Sequence, residues 1–183
     1  AASHTLDNLG VYAGEAYALP VVEGAAAERV AVADVSSSLF SVLGVRPALG
    51  RIFTPDDERP EESSVMMLSH ALWMRRYGGD PAIVGRAIDV GQGRKVVVGI
   101  LPPSAQLPDR DADIWTPLHL DATALPANEH IFRGIGVLRN GIAVERAYSE
   151  LDALTRRITT DYPDFYVSGF MPVTGLSFFG PSL

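Results

Sequence analysis

The sequence predicts an α+β fold in which the two ends of the chain form one lobe and the middle is inserted as a second lobe. The predicted elements run helix, strand, strand, helix, then a mixed middle segment, then strand, helix, strand. The helix predicted over about 142–160 is the clearest element, because apolar residues recur there at spacings of three and four. We therefore assign residues 1–50 and 131–183 to the first lobe and residues 51–130 to the insert.

The first lobe opens with a helix, a hairpin and a second helix in this prediction. Apolar residues at spacings of three indicate a helix over 3–13. Residues 15–22 and 28–35 are largely apolar and are separated by small residues, which predicts two paired strands. A short helix over 36–44 follows; a serine can accept from the free N–H groups of its first turn. Gly44 stands where a left-handed C-cap is expected.

Short elements separated by turn residues fill the insert. In order they are a charged, solvated loop over 54–64, a buried strand over 64–69, a helix over 69–79 with a serine cap and a double-glycine stop, and a one-turn helix over 80–85 that starts at Asp80 and Pro81.

A hairpin over 86–101 comes next in the insert. Its turn is Gly91–Gln92 of type II′ or, in the alternative register, Gln92–Gly93 of type I′. Residues 112–118 form a short extended segment, which Pro117 confines to a sheet edge. The first lobe then resumes with a strand over 131–139, a turn at Asn140–Gly141, the amphipathic helix and a final strand over 170–178.

Composition excludes several classes of protein. The chain has 183 residues and a formal net charge of −7, and that balance argues against a nucleic-acid partner, which usually requires a basic face. The absence of cysteine excludes disulfides, thiolate metal sites and a cysteine nucleophile. No run of 18 apolar residues occurs. Both ends look cut, which suggests a soluble piece of a longer protein.

The motifs of catalytic, metal and cofactor sites are not found in this sequence. The four histidines, at positions 4, 70, 119 and 130, show no metal-ligand spacing. The aspartates of "DRDAD" at 109–113 begin like a calcium loop, but Ile114 and Leu120 occupy its sixth and twelfth positions. No nucleophile elbow or phosphate-binding glycine loop occurs. We expect no catalytic residue, no metal and no cofactor.

Two arginines beside glycines in "LGVRPALGRIF", residues 43–53, could suggest an anion site. An anion prefers a helix N-terminus, whereas this stretch follows the C-terminal end of the predicted helix over 36–44. We interpret it instead as a hinge-like structural junction between the lobes. Its residues are Gly44, Arg46, Pro47, Gly50, Arg51 and Phe53.

Linked blocks of sequence resemble a known family. They are "VSSSLFSVLGVRPALGRIFTPDDERP", "VMMLSHALWMRRYGGDPAIVGRAIDV", "VVVGILPP", "DADIWTPL" and "GVLRNGIAVERAYSELDALTRRI". In this order the blocks resemble the MacB-like periplasmic core domain of ABC-transporter permeases of the MacB/FtsX type, over about residues 28–178. The variant is most similar to permeases with a duplicated core domain that are common in acidobacteria. The family's usual Asn-Gly hairpin turn is replaced here by Gly91–Gln92.

The resemblance implies a function that the residue patterns alone do not. It implies a porter-like lobe built from both chain ends, and an inserted lobe called Sabre in the family. It places the domain outside the cytoplasmic membrane, as part of a permease that couples ATP-driven movement to partners or cargo. The expected partners are an ABC ATPase domain or subunit, a second permease copy and a periplasmic or outer-membrane protein. The alternative is a module that binds a small molecule or peptide in the interlobe groove.

Overall fold

Nine strands form one hydrogen-bonded sheet in the computed structural model, which describes residues 3–13, 17–23, 26–59, 64–105, 107, 111–119 and 132–161. The strands are β1 Leu6–Ala13, β2 Tyr17–Glu23, β3 Ala26–Val35, β4 Leu49–Gly50, β5 Val65–Leu68, β6 Ala87–Val90, β7 Gly93–Ile100, β8 Ile114–Pro117 and β9 Phe132–Leu138. The α-helices are α1 Ser37–Val42, α2 His70–Tyr77 and α3 Val144–Asp161, and single 3₁₀ turns cover Pro55–Glu58 and Pro81–Ile83.

Six of these strands close into a ring, which we call the barrel. Their order is β2, β6, β7, β5, β8 and β3, and β3 pairs with β2 again. Val32 in β3 shows the closure, since it pairs with Tyr17 on one side and with Ile114 on the other. Outside the ring, β1 pairs with β9 and with the end of β3.

Two apolar clusters form the core. All six barrel strands contribute to the first, together with Leu72 of α2 and Ile83. The second lies where α1 meets the sheet, and its residues are Ala33, Val35, Leu39, Phe40, Phe53, Met67, Leu101, Leu107, Ala112, Trp115 and Ile135. Alternation along the strands sends neighbouring residues to different clusters: Met66 belongs to the first and Met67 to the second. The two clusters therefore share strands.

The elements with strong local signals are confirmed. The β2–β3 hairpin forms as expected, and α2 has Ser69 as its N-cap, whose hydroxyl accepts from Leu72 N at 3.0 Å. In the β6–β7 hairpin Val90 pairs with Gly93, which places the turn at Gly91–Gln92. Gly91 has φ +63°, whereas no non-glycine residue of the described ranges has positive φ. These angles favour the type II′ turn over type I′.

The helix predicted over 3–13 is wrong, because this segment is strand β1. It forms seven residue pairs with β9, from Leu6↔Leu138 to Ala13↔Phe132, and Tyr12 also pairs with Val35 of β3. Pairing with strands distant in sequence outweighs a weak helical spacing. Gly10 favours this arrangement, because a Cβ there would lie 2.7 Å from Leu39 Cα of α1.

The predicted edge position of residues 112–118 is also wrong. Strand β8 lies inside the sheet, between β5 and β3, and all four of its residues are buried. Leu118 N donates to Val35 O at 2.9 Å. The backbone N–H groups of successive strand residues point to opposite sides of the strand. Because the Leu118 N–H points toward β3, the nitrogen of Pro117 points away from β3. On that other side the pairing with β5 stops at Met67↔Trp115, so no ladder bond is lost.

The amphipathic helix predicted over about 142–160 is confirmed as α3. The strand predicted over 170–178 lies outside the described residues, and so does His130.

The two predicted lobes share one sheet. Strand β2 of the predicted first lobe pairs with β6 of the predicted insert, and β3 pairs with β8. The division at residues 50 and 131 stays a prediction.

Candidate functional site at the Arg51–Asp57 junction

The junction begins with a helix stop of the kind the sequence predicts. Gly44 has φ +65°, its N–H donates to Ser41 O at 3.2 Å, and Val45 N donates to Phe40 O at 2.8 Å. These two bonds form a Schellman motif, in which a left-handed glycine satisfies the last carbonyls of a helix. The chain thereby turns sharply away from α1.

Backbone bonds then attach the junction to strand β7 of the barrel. Ala48 N donates to Ile100 O at 2.8 Å, and Arg51 N donates to Val98 O at 2.9 Å. Gly50 lies between them with φ +75°, opposite Gly99. A Cβ at Gly50 would overlap the carbonyl oxygen of Val98, so both its dihedral angle and its surroundings require glycine.

Arg51 and Asp57 form a two-pronged ion pair. Arg51 Nη1 donates to Asp57 Oδ2 at 2.6 Å, and Nη2 donates to Oδ1 at 2.9 Å. Asp57 Oδ2 also accepts from Thr54 N at 2.7 Å and from Thr54 Oγ1 at 2.8 Å. The residue is only 6% exposed, so a charge-assisted network replaces the water that it lost.

The pKa of Asp57 reflects these bonds. The hydrogen bonds from Arg51, with the backbone and side-chain bonds from Thr54, lower its pKa from 3.8 to about 2, against the opposing effect of burial. The prediction of a solvated loop over 54–64 is therefore wrong at Asp57, whose buried carboxylate lies within the capped 3₁₀ turn Pro55–Glu58, while Thr54, Pro55, Asp56 and Arg59 are exposed as expected.

The other predicted junction residues have different surroundings. Phe53 is buried and meets Phe40 of α1 edge to face, with ring centroids 5.6 Å apart. Pro47 is half-buried. Arg46 is exposed. The structure thus brings Gly50, Arg51 and Phe53 to one place between β7 and α1, while Arg46 points to solvent.

Glu58 and His119 also belong to this site and, like Asp57, are not among the residues that the sequence predicted for it. Glu58 Oε1 accepts from Ser37 N at 2.5 Å, and His119 Nδ1 lies 2.7 Å from Glu58 O. Glu58 is 21 residues from Ser37 and 61 residues from His119. No local spacing could have indicated either contact, since the fold alone brings these segments together.

The arginines of "WMRRYGG" are held by carboxylates. Glu28 pairs with Arg75 at 2.8 Å and with Arg76 at 3.1 Å, and Arg75 also reaches Asp113 at 3.2 Å. The hydrogen bonds from Arg75, and to a smaller extent that from Arg76, lower the pKa of the Glu28 carboxyl. Trp73 Nε1 donates to Asp80 O at 2.9 Å. The arginine bonds tie α2 to β3 and to the residue just before β8, and the Trp73 bond ties α2 to the start of the next turn.

The described ranges contain no group of three or more potential metal ligands. No helix in those ranges is both long and apolar enough to cross a membrane.

A cavity of about 620 Å³ lies beside the first turn of α2, where strands β5 and β7 end. Both apolar and polar residues line it, and they include His70, Pro102, Asp111 and Trp115.

The model of the MacB-like periplasmic core domain family matches residues 7–154. The chain belongs to this family. No curated protein matches the sequence. The periplasmic region of MacB from Actinobacillus actinomycetemcomitans has a similar structure, with a TM-score of 0.66 and 12% identity, covering 92% of this chain and 79% of that chain.

A second solved structure is also similar to this core domain. It is the extracellular domain of the noncanonical ABC-type transporter YknZ from Gram-positive bacteria, with a TM-score of 0.61 and 13% identity, covering 86% of this chain and 77% of that chain. At these identities the two likenesses show a shared fold. Family membership makes the chain a periplasmic domain of a MacB-like ABC-transporter permease, on the outer side of the cytoplasmic membrane.

Proposed function

We propose that this core domain is non-catalytic and couples ATP-driven movement of its permease to partners or cargo outside the membrane. The observation that carries the proposal is the junction of residues 44–58. A barrel and a helix that move together need a stiff connection, and here backbone bonds to β7 and the Arg51–Asp57 pair supply one. Domain coupling of this kind works through packed, discrete contacts.

The proposed partners follow from the family. An ABC ATPase domain or subunit supplies the energy, and a second permease copy and a periplasmic or outer-membrane protein complete the assembly. We include in this proposal the division into two lobes. Residues 1–50 and 131–183 form the porter-like lobe, residues 51–130 form the Sabre-like lobe, and the junction is the contact between them. Residues Gly44, Arg46, Pro47, Gly50, Arg51 and Phe53 then serve structure and motion, not ligand chemistry.

Hydrogen exchange on the intact permease with its ATPase tests the proposal. Exchange is compared between the nucleotide-free state and the state trapped with ATP and vanadate. We expect the two states to differ in β1, α1 or β9, because these elements lie outside the barrel, while β6 and β7 exchange equally in both. Identical exchange throughout the domain, while the ATPase turns over, would contradict coupling.

The cavity beside α2 favours the alternative, a module that binds a small molecule or peptide. Its volume of about 620 Å³ is within the range of ligand pockets. Trp115 contributes to its wall and is 5% exposed. The indole N–H of Trp115 is buried and has no hydrogen-bond partner among the described residues. Ligand screening by thermal shift, with Trp115→Phe as the variant, separates the alternatives: binding that this change weakens supports a ligand module.

A further inference from the structure

Helix α1 receives its N-terminal cap from a distant residue. Ser36 occupies the N-cap position, but its side chain makes no cap bond to the helix. Its hydroxyl instead accepts from Val11 N of β1 at 2.8 Å. The carboxylate of Glu58 takes over, accepting from Ser37 N at 2.5 Å. A carboxylate is favoured at this end of a helix because the free N–H groups there carry partial positive charge.

Contacts on both sides hold Glu58 in place. Its backbone carbonyl is 2.7 Å from His119 Nδ1, and because a carbonyl can only accept, Nδ1 carries the proton. His119 comes directly after Leu118, whose N–H donates to Val35 O of β3. On the other side, Glu58 ends the 3₁₀ turn that Asp57 fixes to Arg51.

We propose that Arg51, Asp57 and Glu58 form a brace that positions α1 against the barrel and carries displacement of β7 to α1. This inference rests on the proposed coupling function and names its route. The route runs from the backbone of Val98 in β7, through Arg51 and its ion pair, to the Glu58 carboxylate and the first turn of α1. It continues into β1, because Leu39 of α1 packs on Gly10.

The brace gives α1 a stability that its own sequence lacks. The helix has six residues, with no acidic residue in its first turn and no basic residue in its last. So short a helix is marginal unless its ends are satisfied and its apolar side is buried. Leu39 and Phe40 supply the burial, and Glu58 supplies the end.

Hydrogen exchange of the 183-residue chain tests the brace first. Removing a cap opens the helix end more often, so Glu58→Ala should raise exchange of the α1 amides by about fivefold or more. Exchange in β6 and β7 should not change. Asp56→Ala is the matched control, since Asp56 lies in the same turn and pairs with Arg59 at the surface, where both side chains are more than half exposed. Unchanged α1 exchange in Glu58→Ala, or an equal rise in Asp56→Ala, overturns the brace.

A second pair of variants keeps the test informative if Glu58→Ala does not fold. His119→Ala removes the donor to the Glu58 carbonyl, whereas the side-chain amide of His119→Asn can replace Nδ1. We expect raised α1 exchange in the first variant and near-normal exchange in the second. Equal behaviour of the two variants would count against the brace.

The intact permease then separates the brace from the proposed function. If wild-type permease shows no exchange difference between nucleotide states, coupling fails, and the α1 result on the isolated chain still decides the brace. If wild type responds to ATP, Glu58→Ala should reduce the response of α1 and β1 while ATP hydrolysis continues. A full response in Glu58→Ala overturns the route through Glu58 and leaves coupling intact.

Discussion

Arg51 and Asp57, which are six positions apart in the sequence, hold each other through two parallel hydrogen bonds, 2.6 and 2.9 Å long. The Asp57 side chain is 9% exposed and the Arg51 side chain 47% exposed. The buried partner is therefore the carboxylate, and the arginine covers it from the solvent side. A pair of this geometry is specific to arginine, because lysine cannot form the fork.

Removing one partner should destabilise the domain. Asp57→Ala leaves Thr54 N and the Arg51 fork without their acceptor, and we expect a loss of about 1–3 kcal/mol in the free energy of unfolding, measured by urea denaturation. Arg51→Lys should recover less than half of the loss seen in Arg51→Ala. Asp56→Ala provides the control, because the Asp56–Arg59 pair is more than half exposed on both sides and should contribute less than about 1 kcal/mol. Similar losses in the two aspartate variants would refute the importance of burial.

Acid should weaken this part of the structure at a predictable pH. The folded-state pKa of Asp57 is lowered from 3.8 to about 2, so its stabilising effect is complete above about pH 4 and is lost as the pH falls through 2. The free energy of unfolding of wild type should therefore approach that of Asp57→Asn between pH 4 and 2. Denaturation curves at several pH values give this difference, and a constant gap down to pH 2 would contradict the assignment.

The two left-handed glycines of the junction should respond differently to alanine. Gly44→Ala should cost about 1 kcal/mol, because the conformation is strained but its surroundings are open. Gly50→Ala should cost clearly more, above about 2 kcal/mol, because the new methyl group also overlaps Val98 O. Urea denaturation of the two variants compares them. Equal costs would show that the approach of residues 48–51 to β7 is loose.

Phosphate binding should not depend on Arg51. Its guanidinium is already engaged by Asp57, which raises the pKa of Arg51 and neutralises its charge locally. Calorimetric titration of inorganic phosphate should give the same weak or undetectable heat in wild type and in Arg51→Ala. A saturable signal that disappears in Arg51→Ala would restore the anion-site interpretation of this stretch.

Local chemistry explains what the sequence predicted well. Gly44 with its Schellman bonds, Ser69 as an N-cap and the Gly91 turn all depend on residues within a few positions of one another. Strand β1 was missed because its main partner, β9, begins more than a hundred residues later. The central place of β8 was missed for a related reason, since only the register with β3 and β5 shows that Pro117 loses no ladder bond.

The candidate site was predictable only in part. The stretch from Gly44 to Phe53 stands out in sequence through its glycines, its proline and its arginines. The residues that complete the site do not. Asp57 and Glu58 belong to a charged run typical of a solvated loop, and their burial and cap contacts arise only when α1 folds beside that run. Charged residues that stabilise a fold are hard to distinguish by sequence from charged residues that only keep it soluble.

The most direct test of the central claim is the side of the membrane on which this domain lies in its parent permease. The domain contains no cysteine, so Arg46→Cys, at an exposed position, gives a single reporter in this domain once the rest of the permease is free of accessible cysteine. We predict that a membrane-impermeant maleimide, applied outside an intact cytoplasmic membrane, labels this residue fully. Labelling that requires permeabilisation of the cytoplasmic membrane would contradict an extracytoplasmic coupling domain.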